Sequence, residues 1–215
     1  MKTDGYWKSQ QEIDASGLIY SGSTPRPGDF KYKDLNNDGV INNKDYAPIR
    51  YSNVPQYTYG ASFSFTYKNI DLSFLFQGVS NISKNYGGQG IYEYAGSDGS
   101  YFANDLNAWT PERAASGAKI TYPALSTATS ASTAFQNDFF TQDCSYLRLK
   151  NMEFGYTLPA RLSQKIKSSK IRFYANGLNL FTWDHMISKN FDPEVTNNYS
   201  YPMVKVVNFG VNVVF

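Results

Sequence analysis

The sequence predicts an all-β chain, the carboxy-terminal portion of a large transmembrane β-barrel, with about five antiparallel strands and long extracellular loops. Three observations carry that expectation. Aromatic and aliphatic residues alternate with small polar ones along runs of the ~9 to 11 residues that a tilted strand needs to cross hydrocarbon. The connections between those runs differ in length from one end to the other. The final residue, Phe215, closes an alternating apolar face.

Each element follows from its own residues. From Tyr57 to Lys68 the odd positions are Tyr57, Tyr59, Ala61, Phe63, Phe65 and Tyr67, and the even ones Thr58, Gly60, Ser62, Ser64, Thr66 and Lys68. Side chains alternate across a strand, so one face is aromatic and the other small and polar. A short turn near Asn69 leads to Ile70, Leu72, Phe74 and Phe76, set against Asp71, Ser73, Leu75 and Gln77, with Leu75 the one lapse. The two runs read as a hairpin. A long polar stretch, Ser83 to Asp143, precedes "SYLRLKNMEFGYTLP", whose second half alternates and which Pro159 ends, because proline cannot donate to a ladder. "ARLSQKIKSSK" has room for one helical turn, with Leu162 and Ile166 four apart. "IRFYANGLNLFTW" is a strand whose alternation slips near Gly177, the mark of a bulge. The loop "DHMISKNFDPEVTNNYSYP" leads to a closing strand over 203–215, where Phe209, Val211, Val213 and Phe215 share a face.

Connections then alternate between long and short, which places all the long ones at one end of an antiparallel sheet. That asymmetry is the anatomy of an outer-membrane barrel. A water-soluble sandwich also alternates, and a secreted, calcium-stabilised carbohydrate-binding sandwich is the competing reading. Five strands cannot close a membrane barrel, whose smallest bacterial form has about eight, so the sequence is expected to be the carboxy-terminal piece of something larger. Residues 1–56 are then an extracellular loop segment and 57–215 the barrel strands with their loops.

Composition narrows the function. Aromatics make up 17% of the 215 residues and charged residues 18%, a balance suited to strands and loops. A net charge of +2 argues against nucleic acid as a partner. One cysteine, Cys144, excludes a disulfide framework, and one histidine, His185, argues against a histidine-based zinc site. No apolar run is long enough for a membrane helix, and the first thirty residues lack signal-peptide anatomy. Asp143 beside Cys144, and Asp192 with Glu194, lack a companion nucleophile or base, and "NYGGQG" lacks the strand and helix of a phosphate loop. No enzyme is expected.

The segment "DLNNDGVINNKD" carries the spacing of a calcium loop. Asp34, Asn36 and Asp38 take positions one, three and five, Gly39 the turn at six and Val40 the carbonyl at seven. Asn42 takes position nine and Asp45 position twelve. Aspartate stands where sensor loops carry glutamate, and no helices flank the loop, so a weak structural calcium site is expected. The alternative is an Asx-rich turn that binds nothing. Tyr6, Trp7, Tyr92, Tyr94, Tyr101 and Trp109 fall in the expected outer loops, where they either stack on sugar rings or pack and anchor the loops.

Seven blocks, in order, carry a resemblance: "PGDFKYKDLNNDGVINNKDY", "YTYGASFSFTYKNIDLSFLFQG", "NAWTPERA", "SYLRLKNMEFGYTLP", "GLNLFTW", "DPE" and "GVNVVF". The chain resembles the carboxy-terminal part of the SusC/RagA family, TonB-linked outer-membrane transporters of Bacteroidetes. The resemblance implies a barrel of about 22 strands with a plugged lumen. It further implies a TonB complex acting through an amino-terminal region, a SusD-like surface lipoprotein as partner, and an oligosaccharide or peptide as substrate. A siderophore or vitamin receptor of the wider TonB-dependent group is the nearer alternative.

Overall fold

The computed structural model describes residues 1–86, 103–127, 129–187, 191–195, 201 and 203–215. The amino-terminal segment contains β1 (Thr3–Tyr6), α1 (Gln10–Ser16), β2 (Ile19–Tyr20), β3 (Phe30–Tyr32) and β4 (Val40–Ile41). Next come β5 (Tyr57–Tyr67), β6 (Ile70–Ser80), β7 (Ser83–Asn85), α2 (Pro111–Ser116), α3 (Ala131–Ala134) and β8 (Thr141–Asp143). The chain continues through β9 (Tyr146–Thr157), α4 (Ala160–Ser163), β10 (Lys170–Asp184) and β11 (Val206–Val214).

Five of these strands form one antiparallel sheet in the order β11-β10-β9-β6-β5. The expected hairpin is present, with Tyr67 opposite Ile70 and Lys68 at φ 53 in the two-residue turn. The helical turn expected after Pro159 is α4 and the short 3-10 turn Gln164–Ile166 that follows it. The last strand starts at Val206, later than the expected 203, because its pairing with β10 stops at Leu178, where β10 bends.

Register slips once on each side of β9. Leu75 pairs with Asn151 while Phe76 pairs with Leu149, so Lys150 is extra on β9. On β10 the pairing jumps from Leu178 to Phe181, and Asn179 adopts φ 53 there. The slip expected near Gly177 therefore lies just beyond it. Its partner at Lys150 keeps Leu149 and Leu147 on the same face as Phe76 and Phe154, which an unbulged strand would reverse.

The buried core does not lie on the five-stranded sheet. It gathers Met1, Trp7, Tyr20, Phe30, Tyr32, Ile41, Phe135 and Phe140 with Ile82 and Tyr86, so the long segments at one end of the sheet fold together as a loop module. Phe30 sits at its centre, with ring centroids 5.4 Å from Tyr6 and 5.0 Å from Phe139. Fully buried Asn137 ties the module inside by donating to Tyr32 Oη, the Ser132 carbonyl and the Phe135 carbonyl while accepting from the Phe140 amide. Such complete satisfaction is what a buried amide requires.

Candidate functional site: a two-faced sheet and a cation loop

Register places the side chains of the sheet in rows. One row runs Phe65, Leu72, Phe154, Ala175, Phe209, and the next Phe63, Phe74, Met152, Gly177, Val207. Tyr67, Ile70, Tyr156, Phe173 and Val211 bound this face at the short-turn end, and Tyr59, Gly78, Leu147 and Trp183 bound it towards the loop module. The face is apolar throughout and open: Phe209 is 82% exposed and Phe65 56%. Among the described residues no second sheet covers it, since the other sheets are two-stranded pairs. The shared core that a sandwich needs is missing from this face. An apolar surface of this extent, rimmed by Tyr and Trp, suits lipid. Eight residues separate Tyr67 from Tyr59, about 20 Å of height at a typical tilt of ~40°.

The opposite face is polar. Its rows include Ser64, Ser73, Glu153, Asn176 and Asn208, then Thr66, Asp71, Gly155, Tyr174 and Gly210. Arg172 reaches along it, 2.7 Å from Glu153 Oε1, with its Nε donating to Asp71 Oδ1 at 3.1 Å and its Nη2 also on Asp71. Gly155 leaves room for this ion cluster, since a Cβ there would fall 2.3 Å from Arg172 Nη2. Leu75, the lapse in the sequence pattern, sits on this polar face beside the bulge.

The loop 34–45 is built from side-chain caps on its own amides. Asp34 Oδ2 accepts from Gly39 N at 2.8 Å, Asn36 Oδ1 from Asp38 N at 3.0 Å, and Asp38 Oδ1 from Val40 N at 2.9 Å. Asp45, fully buried, closes the loop by accepting from Leu35 N and Asn42 N, both at 2.9 Å. Asn42 donates to the Val40 carbonyl at 3.1 Å. Gly39 takes φ 76, as the sharp turn requires. The hydrogen bond from the Val40 amide, together with Asn36 and Lys44, holds the Asp38 carboxyl below its ordinary range. Asp34 Oδ1 is buried with no hydrogen-bond partner, the one donor-set atom left over for a cation. Among the described residues no three Asp, Glu, His or Cys side chains converge on a common point, so a cation here would also need the Asn amide oxygens and the Val40 carbonyl. Val40 and Ile41 pair in parallel with Ile19 and Tyr20, tying the loop into the core.

The aromatic candidates separate by burial. Trp7 is fully buried, donates Nε1–H to Tyr20 Oη at 3.1 Å and lies under Lys31, so it is a core residue and not a sugar platform. Burial pushes the Tyr6 hydroxyl up to about 12. Tyr6 and Trp109 line one open groove with Pro111, Ala114, Ala115 and Ile120. Tyr92, Tyr94 and Tyr101 lie outside the described residues. Cys144 is buried beside Tyr86 Oη, and burial pushes its thiol up, away from reactivity. His185 is exposed, as expected of a surface loop residue. Asp192 and Glu194 face Arg148 and Lys150, and it is the bulge at Lys150 that turns Arg148 to the polar face, since unbroken alternation from Met152 would set it among the apolar rows. Sequence reasoning considered the two carboxylates for acid/base work and missed these partners; the available signal was the change of phase between Leu147, Leu149 and Met152, Phe154, which turns Arg148 to the polar face.

No family model matches the chain. Two curated relatives, both TonB-dependent receptors of Formosa agariphila, do. One is 32% identical over 227 residues, covering 98% of this chain and 22% of the relative. The other is 29% identical over 205 residues, covering 88% and 19%. Among solved structures, the RagAB peptide importer in its open-open state aligns over 100% of this chain and 22% of that one, with a TM-score of 0.61 at 20% identity. Its closed-closed state covers 91% and 22%, with a TM-score of 0.60 at 22% identity. The chain thus spans about a fifth of the length of the relatives it matches.

Proposed function

Because this chain belongs with the TonB-dependent receptors and shares the fold of the RagAB importer, we propose that it is of the SusC/RagA type and forms a stretch of wall and outer rim in a TonB-dependent transporter. The observation that supports this reading best is the uncovered apolar face of the sheet, backed by a polar face that suits a lumen. Both sheet edges, β5 and β11, need backbone partners in lipid, and strands from elsewhere in a longer polypeptide supply them. The transported substrate is an oligosaccharide or a peptide. The work is done on a plug by a TonB complex, and a SusD-like lipoprotein caps the outer side. Envelope fractionation tests the placement: the protein should leave the outer membrane only with detergent, bringing a lipid-anchored surface protein with it. Recovery in the soluble fraction after a salt wash would overturn it.

The loop 34–45 is proposed to hold one calcium ion through Asp34, Asn36, Asp38, the Val40 carbonyl, Asn42 and Asp45. Calcium there supplies positive charge against three carboxylates. The residues themselves orient the loop and keep Ile41 in the core of the module. Calorimetric titration of the detergent-extracted protein with calcium chloride should give heat above a magnesium control, and Asp34→Ala should abolish it. Equal heats for the two cations would sink the site.

A further inference from the structure

We propose that Phe191–Val195 is a clasp that ties the loop module to the polar face of the wall, so that the two move as one body. The segment is a preformed turn. Asp192 Oδ1 accepts from the Glu194 amide at 2.9 Å, the Asp192 carbonyl accepts from the Val195 amide at 3.0 Å, and Pro193 fixes the backbone between them. The wall grips it from β9. Arg148 is fully buried; its Nη2 donates to both Asp192 oxygens at 2.8 and 2.6 Å, and its Nε is anchored on Thr182 of β10 at 2.9 Å. Glu194 takes the Tyr146 hydroxyl at 2.7 Å and Lys150 at 3.1 Å, with Arg148 Nη1 at 3.4 Å.

The loop module grips the same segment from the other side. Lys84 of β7 donates to the Pro193 carbonyl at 2.7 Å and the Val195 carbonyl at 2.9 Å. Tyr86 stacks on Phe191 at 5.2 Å and touches Cys144 and Met186 in the module core. Three cations and two carboxylates thus meet on five residues of chain. A buried Arg left without its carboxylate is strongly unfavourable, so the clasp has one closed state and no cheap half-open one. The β10–β11 loop is pinned at this point and cannot swing as a free lid. The inference takes from the proposed function only that the other face of β9 meets lipid.

Hydrogen exchange on the protein extracted from its native outer membrane in detergent tests it with Lys84→Met and Glu194→Gln. Lys84→Met removes only the grip from the module, and Glu194→Gln weakens only the grip from the wall. In each variant the Glu194 and Val195 amides should exchange about tenfold faster or more. The Tyr86 amide, bonded to the Phe140 carbonyl, should also exchange faster in Lys84→Met, while the β9–β10 ladder stays at parental rates. Parental exchange at 191–195 in both variants overturns the clasp, as does acceleration spread evenly over β5 to β11. A failed wall reading shows itself separately, as extraction without detergent.

Discussion

Gly28 has two constraints on one atom. Its φ of +89 is unfavourable for any side chain, and a Cβ would lie 2.4 Å from Trp109 Cε3 and 2.5 Å from the Ala124 Cβ. Its amide donates to the Trp7 carbonyl and its carbonyl accepts from Ala124, so the backbone cannot step aside. Gly28→Ala should cost the loop module about 2–4 kcal/mol, backbone strain and overpacking together. Native-state exchange at the Trp109 and Ala124 amides reads that loss, and parental rates would show that the module yields there. Asp38 gives a pH signature. Its folded carboxyl is held below the ordinary value of 3.8 by the Val40 amide first. A depressed carboxylate contributes order above its unfolded value and loses it as pH falls through the folded one. The Val40 amide resonance should therefore be unchanged from pH 7 to 5, with the midpoint of its movement below 3.8. Movement between pH 7 and 5 would point to another group.

Strands carry their design in the period of two, and this is why β5, β6, β10 and β11 could be read from residues alone. The bulges show the limit. Around Gly177 the sequence passes from Tyr-Ala-Asn-Gly to Leu-Asn-Leu-Phe, a visible break in alternation, and the bend lies at Asn179. In β9 Leu147 and Leu149 are out of phase with Met152 and Phe154, and the adjacent polar pair Lys150-Asn151 marks the insertion, which the alternation of the second half alone does not reach. The turn at 34–45 was legible as a loop because its caps are local: each spans a few residues. The loop module was not, because Trp7, Phe135 and Phe140 meet only through long-range packing from a stretch without periodicity. Lys68 at the β5–β6 turn is a local device open to improvement. It holds φ 53, with its ammonium 5.1 Å above the Tyr67 ring in return. Lys68→Gly should raise stability by about 0.5–1 kcal/mol by removing that strain. An unchanged or lower urea midpoint in detergent would mean that the Lys–Tyr contact outweighs it.

For the whole molecule, the two faces of one sheet predict opposite responses to the same substitution. Asn208 and Phe209 are neighbours on β11, one in the polar rows and one in the apolar rows near mid-height. Both stand on a strand that is exposed in isolation, and Phe209 is 82% open. In water an arginine at either place would be a surface change, worth within ~0.5 kcal/mol. Across a bilayer the symmetry breaks. Phe209→Arg puts a guanidinium among hydrocarbon tails, at a cost of about 2–4 kcal/mol near the midplane, while Asn208→Arg faces the lumen and is close to neutral. The inserted, heat-modifiable fraction on electrophoresis should therefore fall for Phe209→Arg and hold for Asn208→Arg. Equal insertion of the two would mean that this face does not meet lipid, and the wall reading would fall with it.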